Sequence, residues 1–286
     1  MTVIIKTGEK MEKPDIVIEK LYLHLENMAR NIIRENLDLS IKENRDFLNN
    51  PDDVNHQKPK WHQFGIITHT KMVEKAFREE VPVYLKKWGI KDRADMHLDE
   101  EIEGIKKKDL FIMTIILHDT GKFKVRTMNK KNGTYSFKPH EKASGEIIRS
   151  VKDILKKDFL LTEDQIEYIA RCAELHFELG LLRYTGKDSK TGFNREFIDS
   201  EIFKNTVLEF ISKNPDFKWE IGLFFLADTL GKIDIRINDA DNTDEIEKAK
   251  KEIEEKQLYT GIINAVLQLP VNLAATEEYF RILLES

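Results

Sequence analysis

The 286 residues are 41% hydrophobic and 34% charged, which allows a sizeable core under a soluble surface and one large domain or two small ones. With 46 basic and 51 acidic residues the net charge is −5, which excludes a broad electrostatic footprint for duplex DNA and leaves room only for a local basic groove. The single cysteine, Cys172, excludes an internal disulfide and suits core packing in a reducing compartment. No N-terminal secretion signal is evident, and the longest apolar runs fall short of the roughly 20 residues a membrane span requires. The expectation is a cytoplasmic chain with no membrane partner.

In chain order, Asp15 to Leu37 repeats apolar residues every three or four positions, the pattern of an amphipathic helix. Phe64 to Leu85 predicts another, bent or ended near Pro82. Lys107 to Asp119, "KKDLFIMTIILHD", is apolar nearly all round and predicts a buried central helix with Gly121 at its end. "GTYSFK", Gly133 to Lys138, suggests one arm of a short β-hairpin. Leu161 to Leu179 opens with Thr162 and Gln165 in capping-box spacing. Tyr184 to Asn194 is the clearest loop. Lys218 to Ile233 predicts a second buried helix, and Thr243 to Leu258 and Thr276 to Glu285 predict surface helices. The fold class is therefore all-α, with residues 1–60 as an N-terminal helical layer on a helical domain over residues 61–286.

The chemistry concentrates in the histidines. His69 lies in an amphipathic helix, His118 and Asp119 end the first buried helix, His140 starts a helix in "KPHEKASGEII", and His176 closes the capped helix. Asp228 sits inside "FFLADTLG". A lone carboxylate in such a run would be costly to bury, and a metal ion is a partner that removes the cost. Imidazoles with carboxylates suit Mn, Fe, Ni, Co or Zn rather than Ca. His24, His56 and His97 lie in polar surroundings and are expected on the solvated surface.

The order His69, His118-Asp119, His140, His176, Asp228 resembles the HD-domain superfamily of metal-dependent phosphohydrolases, which runs H…HD…H…H…D along a helical core. "WHQFGIITHT", "LHDTGKF", "FKPHEKASGEII", "YIARCAELH" and "LFFLADTLGK" are similar to the family's ligand segments, over about Trp61 to Ile235. The nearest likeness is to the HD domain of bacterial tRNA nucleotidyltransferases, in stand-alone form. The HD nuclease domain of CRISPR-associated helicases shares some of these words.

The resemblance implies that His69, His118, Asp119 and Asp228 hold one divalent ion, and that His140 and His176 add a second bridged by Asp119. Mn, Ni, Fe, Co or Zn would serve, with Mg also admitted. Lys122 would offset phosphate charge, Lys232 and Arg236 are weaker phosphate candidates, and His62, seven residues before His69, is a candidate proton donor. The implied substrate is a nucleotide or a phosphate ester at a nucleic-acid end. Two alternatives stand: a nuclease on single strands, with Lys187, Lys190 and Arg195 as its basic hint, and a nucleotide sensor with little catalysis. Oligomeric state is left open.

Overall fold

The computed structural model describes residues 14–57, 61–129, 134–182 and 194–286. The chain is all-α, with two short antiparallel strand pairs among the described residues. In order come α1 (Pro14–Asn36), α2 (Lys42–Asn49), α3 (Ile66–Glu79), α4 (Val81–Lys87) and α5 (Lys91–Leu98). The pair β1 (Glu101–Ile102) and β2 (Ile105–Lys106) leads into α6 (Lys107–Leu117) and α7 (Gly121–Val125). A second pair, β3 (Thr127–Asn129) and β4 (Thr134–Ser136), is the expected hairpin and precedes α8 (His140–Ser150), α9 (Lys152–Phe159) and α10 (Glu163–Leu175). Then follow α11 (Glu178–Leu181), α12 (Arg195–Ile198), α13 (Glu201–Lys213), α14 (Lys218–Gly231), α15 (Thr243–Glu255) and α16 (Ile263–Glu285).

The described residues divide into two compact units. One is formed from those in Met1–Gln57, Gly65–Lys71 and Asp92–Leu175, the other from those in Lys58–Phe64, Met72–Lys91 and His176–Ser286.

The first unit is built around α6. From Leu110 to Leu117 every side chain of α6 is buried, as its unbroken apolar run requires. α1 packs against α6 and α7 through Val17, Leu21, Leu25, Ala29 and Ile33, a stripe at helical spacing. α10 packs on α6 and α8. The capping box at its start forms as predicted: Thr162 N–H donates to Gln165 Oε1 at 2.9 Å, and Gln165 N–H to Thr162 Oγ1 at 3.4 Å. Cys172 is buried in this helix.

Gly121 differs from the expectation. α6 already stops at Leu117, His118 to Thr120 form a turn, and Gly121 opens α7. Its role is close approach: a Cβ there would stand 2.1 Å from His140 O and 2.7 Å from Ser144 N. The Gly121 N–H donates to Ser144 Oγ at 2.8 Å, so the starts of α7 and α8 meet backbone to backbone.

In the second unit α14 is buried from Glu220 to Gly231. α16 packs along it, and Tyr279 Oη donates to Lys218 O at 2.6 Å. Residues 276–285, expected as a surface helix, are instead the last turns of this long helix. Tyr279, Phe280, Ile282 and Leu283 are buried, and Glu277, Arg281 and Glu285 keep to the outer side. In α15 only Ala249 and Ile253 are buried, as its charge pattern predicts. These two residues pack with Ile233, Ile235, Ile237 and Val266 in a smaller apolar cluster. Among the described residues no helix is long and apolar enough to cross a membrane.

Candidate metal centre

His118 and Asp119 sit where α6 ends, so the buried helix delivers both to one point. The His118 ring is fixed by its far nitrogen: Nδ1 lies 2.7 Å from Ile115 O. A carbonyl only accepts, so Nδ1 carries the hydrogen and Nε2 faces Asp119. That Nε2 is 3.3 Å from Asp119 Oδ2. His69, in the second turn of α3, brings its Nε2 to 3.7 Å from the same oxygen. His140, the first residue of α8, brings its Nε2 to 3.4 Å from the other oxygen, Oδ1. The His69 and His118 rings meet edge to face, with centroids 5.6 Å apart.

The 3.3 and 3.4 Å separations fit donors gathered around a cation, and the 3.7 Å separation is slightly longer. Two donors each about 2.1 Å from one ion, at angles between a right angle and the tetrahedral value, stand about 3–3.5 Å apart. One donor atom from each of His69, His118 and Asp119 lies within 4.8 Å of the others, and all three residues are buried. Three imidazoles around one carboxylate also form a donor set typical of transition metals. The His/Asp cluster can therefore hold a metal ion.

The electrostatics favour an ionised Asp119. Burial pushes its carboxyl up. The charge of His118 and then that of Lys122 outweigh burial and hold it well below the usual carboxylate range.

Lys122 does not stretch outward from the turn. It is buried, and its Nζ donates to Asp119 Oδ2 at 2.7 Å and to Gln57 Oε1 at 2.8 Å, beside the Phe137 ring. The buried negative charge of Asp119 accounts for this inward course.

The remaining candidates belong to the second unit. His176 follows directly on α10, is buried, and packs against Phe224 with ring centroids 5.5 Å apart. Asp228 is buried on α14, where Lys232 Nζ donates to its Oδ2. Lys232 is the residue just past α14 rather than part of it, and Arg236 lies further on. Arg236 pairs with Glu80 at 3.0 Å and donates to the carbonyls of Leu230 and Ile233, so it closes the end of α14 instead of standing clear for a phosphate. His62 is buried but precedes α3, so seven-residue spacing does not put it on one helix face with His69.

His24, His56 and His97 are not simply solvated. His24 faces Asp158 at 3.4 Å and His97 faces Glu100 at 3.7 Å. His56 packs on Phe47 and takes a hydrogen bond from Arg126. Arg195 opens α12, while Lys187, Lys190 and nearly all of the Tyr184 to Asn194 loop lie outside the described residues.

Sequence reasoning missed two residues. Gln57 holds Lys122, and Asp52 caps α3: its Oδ1 accepts from Ile67 N at 2.7 Å and Thr68 N at 2.8 Å. The available signal was negative. Gly65, just before the apolar run "IITH", offers no capping side chain, so the helix needs one from elsewhere.

The chain matches no protein-family model, no curated protein and no solved structure.

Proposed function

We propose that the protein is a metal-dependent phosphohydrolase acting on a phosphate ester of a nucleotide or of a nucleic-acid end. The observation that carries this is the convergence of His69, His118 and His140 on the two oxygens of Asp119, at 3.3 to 3.7 Å. The sequence order of the donors, with its likeness to the HD superfamily, supports the same reading.

His69, His118 and Asp119 would hold a divalent ion of the Mn, Fe, Co, Ni or Zn kind. His140 stands on the other carboxylate oxygen and would help to hold a second ion. A divalent ion held there would supply Lewis acidity, polarising a phosphoryl oxygen and easing proton loss from water. The chain's own residues do the rest. The Ile115 carbonyl keeps His118 in the tautomer that faces Asp119. The apolar walls of α6 limit water and strengthen charge interactions. Lys122 supplies a positive charge beside the carboxylate that a substrate phosphate would share.

The test is hydrolysis of a chromogenic monoester, a chromogenic diester, nucleoside monophosphates, 2′,3′-cyclic nucleotides and a single-stranded oligonucleotide, each with added Mn2+, Ni2+ or Co2+. Asp119→Ala is expected to lose both bound metal and turnover, falling to the level of metal-stripped protein. The preferred ester separates nucleotidase, cyclic phosphodiesterase and nuclease. Wild-type protein that binds metal and turns over none of these esters would overturn the hydrolase reading in favour of a sensor.

A further inference from the structure

Asp52 lies between α2 and α3 and is not a member of the donor set. Because α3 begins at Ile66, its capping position falls to Gly65, which has no side chain to satisfy the first free N–H groups. Asp52 does so from 15 residues before Ile67. Its Oδ1 accepts both backbone N–H groups, and its Oδ2 accepts from Thr68 Oγ1 at 2.6 Å. A negative carboxylate at a helix start is also favoured by the helix dipole. The arrangement leaves no space for another cap, since a Cβ at Gly65 would stand 1.7 Å from Asp52 O. His69 hangs from this turn, with its N–H donating to Gly65 O at 2.8 Å. The same short segment ends at Gln57, which grips Lys122 on Asp119.

We infer that Asp52 is a positioning residue of the metal centre, holding the first turn of α3 so that His69 Nε2 faces Asp119. This rests on the metal-binding reading above. It also gives the segment before α3 a part in the site, although the family resemblance starts only at about Trp61.

The experiment titrates the full chain with Co2+ and records the thermal midpoint of the metal-free protein in parallel. Asp52→Ala should weaken Co2+ binding by about 10–100-fold, the usual effect of removing a group that orients a ligand. Asp52→Asn, which keeps an acceptor for the two N–H groups, should restore most of it. Asp38→Ala should bind as wild type, because the Asp38 side chain serves only the exposed turn at Ser40. In a His69→Ala background, Asp52→Ala should add no further loss, since coupled residues are not additive. Wild-type affinity in Asp52→Ala, or a full loss that persists without His69, would overturn the inference. If Asp52→Ala fails to fold, Thr68→Val removes the Oδ2 contact alone and must show a smaller loss in the same direction. A wild-type chain that binds no Co2+ overturns the metal reading and this inference together, and does so before any substitution is made.

Discussion

At Gly121 the α-carbon faces the backbone of α8 so closely that only hydrogen fits. Gly121→Ala should therefore push α7 and α8 apart, at a cost of about 1–3 kcal/mol in urea unfolding, as overpacking does. The same displacement should draw His140 from Asp119 and weaken metal binding. His56 gives a pH-dependent prediction. Burial, then the charge of Arg126, hold its imidazole below the ordinary value of 6.5. On falling below pH 6.5 the unfolded chain takes up a proton that the folded chain refuses. Stability contributed by neutral His56 is thus complete above pH 6.5 and is lost as pH falls from 6.5 toward the folded pKa. Urea midpoints from pH 8 to 5 should show a decline that is shallower in His56→Gln. His118 and Asp119 were legible because adjacency and an apolar run survive in one dimension. His56 was not, because its partners Phe47 and Arg126 are distant in sequence and its own neighbours are polar.

Among the elements, α10 shows how one side chain can serve two. Gln165 closes the capping box with Thr162, and its Nε2 also donates to Ile102 O at 2.8 Å and Glu103 O at 3.3 Å. It ties the β1–β2 turn to the start of α10. Thr162→Ala should cost about 1 kcal/mol, the usual value of a cap. Gln165→Ala should cost about 0.5–1.5 kcal/mol more, because it also removes the part-buried hydrogen bonds to Ile102 O and Glu103 O, and chemical denaturation of the two variants side by side measures the difference. The capping box was readable from spacing alone, whereas the tie to β1–β2 was not, since nothing local marks Ile102 as its acceptor. The last turns of α16 were misjudged for a related reason. Glu277, Glu278, Arg281 and Glu285 suggest a surface, yet Tyr279, Phe280, Ile282 and Leu283 fill the other side against α13 and α14.

For the whole molecule, the all-α class followed from periodicity, and the grouping of His69, His118, Asp119 and His140 matched the order of motifs. The division into units could not be read, because it cuts across the linear order and even across α3, whose Gly65–Lys71 portion belongs with the first unit and whose Met72 onward belongs with the second. Synthesis runs in that linear order. Val73, Phe77, Val81 and Leu85 leave the ribosome early, yet within their unit they are covered by residues from His176 onward, with Gly231 against Val73 and α14 against α4. At ~5–20 residues per second the wait until the end of α14 lasts on the order of 7–30 s. During it this apolar face stays uncovered, and its burial can follow only once α14 has emerged from the ribosome.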